Sequence, residues 1–224
     1  MSARTVPDDA AGRALAIDVL RSGGVVALPT DTVYGIAVAL DAPGGIERLF
    51  RVKNRPPERG IMLLLEAAAQ ASSIGVLGPA AMALADSCWP GGLTIVVPQR
   101  PDVTLPAALT GGTPTIGLRV PDHAAPRALA AAVGPLPTTS ANVSGLPEAT
   151  DAAEILAQLG EGVDLILDGG PARGGPPSTV VDCTGARPVI LREGAVPVDR
   201  IVAILDSAGV EHDLFRPAAI GDAP

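Results

Sequence analysis

Three polar segments carry the side chains able to do chemistry in an otherwise Ala-, Gly- and Pro-rich chain. They are Pro29-Thr30-Asp31-Thr32-Val33-Tyr34-Gly35, Lys53-Asn54-Arg55-Pro56 and Ser140-Ala141-Asn142-Val143-Ser144-Gly145, and each follows or ends an apolar element. Lys53 is the only lysine beside fifteen arginines and Tyr34 is the only tyrosine, and both fall inside these segments. The hydroxyls and amides of Thr30, Thr32, Ser140, Asn142 and Ser178, with the Asp31 carboxylate beside them, suit a small zwitterion or a phosphate. Lys53, Arg55, Arg59, Arg119 and Arg192 are cations able to neutralise a polyanion. Together the inventory fits a nucleotide plus an acidic metabolite. His123 and His212 are the only histidines, and neither stands beside a Ser or Cys motif, which argues against Ser-His-Asp and Cys-His enzymes. Neither G-x-G-x-x-G after the first strand nor G-x-x-x-x-G-K-[ST] occurs, so a nucleotide here is held in another way.

Each segment alone also has an ordinary explanation. Thr30, Asp31 and Thr32 fit a turn that hydrogen-bonds its own backbone. Lys53 to Arg55 fits a solvated helix end favoured by the macrodipole. Ser140 to Ser144 fits a polar loop with Gly145 at positive φ, and Thr150 beside Asp151 fits a helix cap. Arg119 and Arg192 fit structural ion pairs, His123 a surface position, and Trp89 the core.

The elements that must position these groups alternate helix and strand. The sequence predicts helices over Asp8 to Arg21, Pro43 to Val52, Pro79 to Cys88, Ala124 to Val133, Asp151 to Leu159 and Val198 to Ser207. It predicts strands over Val25 to Leu28, Tyr34 to Leu40, Ile61 to Leu65, Leu93 to Val97, Thr115 to Val120, Leu136 to Ser140, Leu165 to Leu167, Ser178 to Asp182 and Val189 to Arg192. Asp151 and Glu154 stand in capping-box relation, with Gly160 past the helix end. The helix after Pro43 delivers Lys53 at its C-terminal end. Several strand connections are too short for helical crossovers, so the expected fold is α/β with a twisted, open, mixed sheet flanked by helices. Ligands in such folds collect where strands end and loops leave the sheet. Gly169 to Pro177 is a stiff, side-chain-poor loop that would act as a lid or a rigid wall. No internal repeat or low-complexity linker is present.

The 224 residues suit one α/β domain over 1–208, with a peripheral tail from Gly209 to the end. Asp and Glu number 24 against 16 Lys and Arg, a net charge of −8, which disfavours a primary role in gripping nucleic acid. Aromatics are limited to two Phe, one Trp and one Tyr, so the core must be aliphatic and base-stacking platforms are scarce. Cys88 and Cys183 lie far apart without metal-ligand or disulfide spacing and read as buried thiols, and no metal-ligating set is read. The N-terminus has no apolar targeting run and no later stretch has the length to cross a bilayer, so the expectation is a cytoplasmic protein without membrane contact.

Taken together, the segments resemble the YrdC/TsaC family of L-threonylcarbamoyladenylate synthases in its short, single-domain form. The resemblance runs from about Val6 to about Val198. It covers Pro29 to Gly35, Lys53 to Pro56, Trp89 to Thr94, Gly117 to Pro121, Thr139 to Gly145, Ser178 to Asp182 and Leu191 to Ala195, in family order. It implies a YrdC-like sheet with a large concave, positively lined cavity. It further implies that ATP, L-threonine and bicarbonate give threonylcarbamoyl-AMP and pyrophosphate, and that separate transferase enzymes carry the threonylcarbamoyl group to tRNA, which this chain would meet weakly or indirectly.

By the same resemblance, Thr32, Arg119, Ser140 and Ser178 hold threonine, and Lys53, Arg55, Arg59, Thr115, Asn142, Thr150 and Arg192 contact the nucleotide and its phosphates. Lys53, Arg55, Ser140 and Asn142 are the groups nearest the chemistry. Mg2+ would be carried mainly by ATP oxygens and water. Two departures stand out. Leu64 occupies the place of a histidine found in the threonine pocket of longer members, and the separate C-terminal domain of those members is expected to be absent, with any gating it supplies. Catalysis would rest on positioning and electrostatics, because a carbamate and ATP are both anionic and a cationic cluster lowers their repulsion. The rival readings are a YrdC-fold RNA-binding module, a sister adenylate-forming enzyme with another amine substrate, and a nucleotide-binding protein without turnover.

Overall fold

The structure, a computed structural model, describes residues 3–56, 58–172 and 175–214. Along the described residues the elements are β1 (Arg4–Pro7), α1 (Ala10–Arg21), β2 (Val26–Leu28), β3 (Gly35–Ala37), α2 (Gly45–Lys53), β4 (Met62–Leu64) and α3 (Pro79–Cys88), then β5 (Leu93–Pro98), α4 (Ala107–Thr110), β6 (Thr115–Arg119) and α5 (Ala124–Val133). They continue with β7 (Leu136–Ser140), α6 (Ala152–Leu159), β8 (Leu165–Asp168), β9 (Thr179–Asp182), β10 (Val189–Arg192) and α7 (Val198–Ser207). All strands join one sheet in the order β1-β8-β2-β3-β7-β4-β6-β5-β9-β10. The pairs β1–β8, β2–β8, β4–β6 and β5–β9 are parallel and the others antiparallel, so the sheet is mixed as expected.

Helices α1, α5 and α6 start where a polar side chain accepts one of the first free amides. Asp9 accepts from Gly12 N at 2.8 Å, Asp151 from Glu154 N at 2.9 Å, and His123 Nδ1 from Ala125 N at 3.2 Å. The first helix begins at Ala10 rather than Asp8, because Asp9 is its cap and Asp8 turns back to Arg13 at 2.6 Å. Glu154 differs from a simple capping box: it reaches Thr150 N at 2.7 Å rather than the amide of Asp151.

The strand expected over Tyr34 to Leu40 is limited to Gly35–Ala37. Ala37 pairs with Thr138, and the next partner along β7 is Pro137, which has no N–H to continue the ladder. Sequence periodicity missed β1, where only Val6 is buried, the single turn of α4, and a 3-10 helix at Ala68–Ser73. Of the segment expected to be peripheral, Leu214 is buried in the core and Val210 N bonds Leu205 O at 3.0 Å. Residues 215–224 of that segment, and 173–174 of the Gly169 to Pro177 loop, lie outside the described residues.

Two apolar clusters cover the sheet. One, containing Ile36, Leu63, Ile95, Leu118 and Val181, packs under α2, α3, α6 and α7. The other, containing Val26, Leu28, Ala37, Leu64 and Leu136, packs under α1 and α5 on the opposite face. Helices α1 and α5 cover only part of that second face, and the remainder is open.

Candidate active site

Successive residues of a strand point to opposite faces. The residues on the open face are therefore alternate ones: Met62 and Leu64 of β4, Thr94 and Val96 of β5, Thr115, Gly117 and Arg119 of β6, Thr138 and Ser140 of β7, and Ser178 and Val180 at β9. All of them line one cavity of ≈ 390 Å³, together with Thr30, Thr32, Arg55, Glu58, Thr113, Leu191 and Arg192. Their odd-numbered or even-numbered neighbours, such as Leu63, Ile95 and Leu118, are fully buried in the core. The pleat thus sorts each strand into an apolar side and a hydroxyl-bearing side.

At one end of the cavity Arg119 is 2% exposed, and its guanidinium donates to Asp31 Oδ1 at 2.6 Å, Thr32 Oγ1 at 3.1 Å and the Gly91 carbonyl at 3.0 Å. Burial lowers the affinity of this guanidinium for its proton, and Asp31 opposes that effect. The turn reading of Thr30 also holds: its hydroxyl donates to Val33 O at 2.6 Å and accepts from Thr32 N at 3.1 Å. That turn fixes Thr32 toward Arg119.

Lys53 sits at the end of α2 in helical phase with Ile46, Leu49 and Phe50, so the buried stripe of the helix turns it inward. It is 2% exposed, and its ammonium donates to Ser140 O at 2.5 Å, Asn142 Oδ1 at 2.8 Å and Ser140 Oγ at 3.2 Å. Ser140 Oγ in turn donates to Asn142 Oδ1 at 2.6 Å. Burial, then the nearby Arg55, pushes the Lys53 ammonium down to about 7 from 10.5, with Glu148 acting the other way. Lys53 is thus no solvated helix end.

Asn54 closes α2 in the left-handed region at φ 52, a conformation asparagine tolerates, and the chain reverses there. Arg55 consequently points into the cavity, donating to the carbonyls of Arg59 at 3.0 Å and Gly60 at 2.8 Å. Across the cavity Arg192 donates to Ser178 O at 2.8 Å and Ser178 Oγ at 3.2 Å. Burial comes first, then Arg59 and Arg192, in lowering the basicity of Arg55; Arg192 is lowered by its own burial. Mutually repelling cations around one hollow favour a polyanion between them.

The expected site residues therefore divide. Thr32, Arg55, Thr115, Arg119, Ser140, Ser178 and Arg192 line the cavity. Lys53 and Asn142 stand directly behind it, joined through Ser140. Arg59 is exposed beside Arg55. Thr150 is not brought there: it is exposed and its hydroxyl donates to the Glu154 carboxylate at 3.0 Å, one residue ahead of Asp151, which is the cap of α6, so the capping reading of Thr150 passes to Asp151. Tyr34 is a structural group, whose buried phenol donates to Gly170 O at 2.6 Å and accepts from Gly169 N at 3.0 Å. Trp89 is half-buried at the core edge. Cys183 is likewise half-buried, with burial pushing its thiol up to about 12. Sequence reading missed Thr94, Thr113 and Met62 as lining residues; their alternation along β4 and β5 was the available signal for Thr94 and Met62.

Comparison with known proteins agrees with this architecture. The sequence profile of the Sua5/yciO/yrdC family, described as "Telomere recombination", matches residues 18–194. The threonylcarbamoyl-AMP synthase of Bacillus subtilis is 34% identical over 90% of the chain, which spans 58% of that relative's length. The crystal structure of P. abyssi Sua5 complexed with L-threonine superposes with a TM-score of 0.87 at 30% identity, covering 100% of this chain and 64% of that one. E. coli YciO gives a TM-score of 0.79 at 29% identity, over 90% of this chain and 100% of its own.

Proposed function

The chain belongs to the Sua5/yciO/yrdC family, and we propose that it is an L-threonylcarbamoyladenylate synthase, a nucleotidyltransferase acting on ATP, L-threonine and bicarbonate. The observation that carries this reading is the convergence of two polar clusters on one cavity. Thr32 and Arg119 stand at one end, and Ser140, backed by Lys53 and Asn142, borders the same hollow as Arg55 and Arg192.

In this reading Arg119, Thr32, Ser140 and Ser178 take the amino acid, with the guanidinium facing its carboxylate. The neutral amine of threonine and bicarbonate condense to a carbamate with loss of water, and a carbamate oxygen attacks the α-phosphorus of ATP as pyrophosphate departs. Arg55, Arg192 and Lys53 lower the repulsion between the two anions and stabilise charge on the leaving group, with Arg59 alongside. Thr115, bonded through Thr113 at 2.8 Å, supplies hydroxyls to the nucleotide. Among the described residues no three His, Cys, Asp or Glu side chains cluster as a cation site, and Glu58 is the carboxylate on the cavity wall. That donor set fits Mg2+ carried on ATP oxygens rather than in a protein cage, where it would screen the phosphates.

The product would pass to separate transferases acting on tRNA, and the net charge of −8 favours indirect over tight tRNA contact. No helix of the described residues is long and apolar enough to cross a membrane. The test is incubation of the purified chain with ATP, Mg2+, bicarbonate and each amino acid in turn, with mass spectrometry of the products. A labile adenylate formed selectively with threonine is expected; pyrophosphate release indifferent to the amino acid would reject the assignment.

A further inference from the structure

We propose that Thr94 is a positioning residue for amino-acid binding: it decides whether the Ser178 hydroxyl has a proton to offer a ligand. Thr94 and Ser178 are 3% and 1% exposed and their hydroxyl oxygens lie 2.8 Å apart. Thr94 Oγ1 is also 3.3 Å from Met62 Sδ, and Ser178 Oγ accepts from Arg192 Nη2 at 3.2 Å. A polar chain thus crosses the cavity wall from Arg192 through Ser178 and Thr94 to the sulfur of Met62.

Each hydroxyl has one proton, so the chain has two arrangements. In the first, Ser178 donates to Thr94 and Thr94 donates to Met62 Sδ, and Ser178 has nothing left to give. In the second, Thr94 donates to Ser178, and the Ser178 proton is free for an oxygen of the bound amino acid. A thioether is a weak acceptor, so a ligand carboxylate or hydroxyl tips the pair into the second arrangement at small cost. Arg192, donating to the same oxygen, polarises the Ser178 hydroxyl and makes it a better donor.

The backbone holds Thr94 in the required orientation. A Cβ built on Gly117 would lie 3.4 Å from Thr94 Cγ2, so the methyl packs over the glycine. Because a β-branched side chain is stiff at χ1, that contact aims the hydroxyl at Ser178.

The inference rests on the reading of Ser178 as an amino-acid contact, and the experiment separates the two. L-Threonine binding to the purified chain is measured by calorimetry without ATP, and the KM values for threonine and ATP are measured by pyrophosphate release, for wild type, Thr94→Val, Thr94→Ser and Ser178→Ala. Thr94→Val removes the acceptor that competes with the ligand for the Ser178 proton, so it is expected to tighten threonine binding and lower its KM about threefold while the KM for ATP is unchanged, and Thr94→Ser, which keeps the hydroxyl, to bind threonine as the wild type does. Wild-type threonine binding by Thr94→Val, with binding lost in Ser178→Ala, overturns the role of Thr94 and leaves the site reading intact. Wild-type binding by Ser178→Ala overturns both. Equal loss of threonine and ATP in Thr94→Val, unrescued by Thr94→Ser, assigns Thr94 to packing and also overturns the proposal.

Discussion

Arg119 and Asp31 meet at 2.6 Å with side chains only 2% and 8% exposed, so the guanidinium facing the cavity is already compensated before any ligand arrives. A ligand carboxylate would join a paired cation and use the remaining N–H groups, which favours orientation over raw attraction. Removing one partner of a buried pair strands the other charge. Asp31→Ala is therefore expected to destabilise the fold by about 3–5 kcal/mol in urea unfolding, and the Asp31→Ala/Arg119→Met double variant to lose less than the sum of the singles. Strict additivity would show that the two side chains do not depend on one another.

Lys53 combines three oxygen acceptors with a proton affinity lowered by burial to about 7. Between about 7 and 10.5 the unfolded chain binds this proton more readily than the folded chain. The contribution of Lys53 to stability therefore rises with pH across that window, by at most about 1.4 kcal/mol per unit, and is constant below it. A polyanion in the cavity would raise the affinity for the proton again. ATP binding at pH 8 is expected to take up protons, seen as a calorimetric enthalpy that depends on the buffer, with the dependence much reduced at pH 6 and absent in Lys53→Met. A buffer-independent enthalpy at both pH values in the wild type would contradict the coupling.

Much of this arrangement was legible in the sequence because local rules agreed with the fold. The limits of α3, α5, β7, β10 and α7 fall at the expected residues, where Pro79, Gly134 and Pro197 punctuate clear periodic runs. The edge strand β1 was hidden because one buried side chain in four residues makes no pattern. In the site, the chemical types of Arg119 and Lys53 named them as candidates, whereas their partners required tertiary contacts: Asp31 lies eighty-eight residues from Arg119 and Asn142 eighty-nine from Lys53. A threonine within an apolar run reads as an ordinary strand former; alternation along β5 gives the face of Thr94 relative to its own strand, and the pairing of Thr94 with Val180 places it on the face of Ser178.

Arg55 and Arg192 carry the phosphate end of the proposed reaction. Their donors go to the carbonyls of Arg59, Gly60 and Ser178, so neither is neutralised through those bonds. Arg55→Ala and Arg192→Ala are each expected to raise the KM for ATP by about tenfold or more, as removal of a charge-assisted contact would, and to flatten its dependence on salt. Threonine binding should survive Arg55→Ala, since that residue does not touch the Thr32 and Arg119 end. Unchanged ATP kinetics in both variants would remove the phosphates from this part of the cavity.

Thr150 separates resemblance from geometry. Family likeness assigns it to the nucleotide, yet its hydroxyl and amide both bond Glu154 Oε2, at 3.0 and 2.7 Å, ahead of α6. The geometry predicts a stability effect instead of a binding effect. Thr150→Ala is expected to lower the unfolding free energy by about 0.5–1 kcal/mol, the usual worth of one hydroxyl hydrogen bond, while the hydrogen bond of its amide to Glu154 remains, with the KM for ATP within about twofold of wild type. Glu154→Gln should give part of the same loss, because the amide oxygen still accepts but without charge assistance. A rise of about tenfold in the KM for ATP, with the unfolding midpoint untouched, would instead mean that the segment from Gly145 to Asp151 moves onto the nucleotide when it binds.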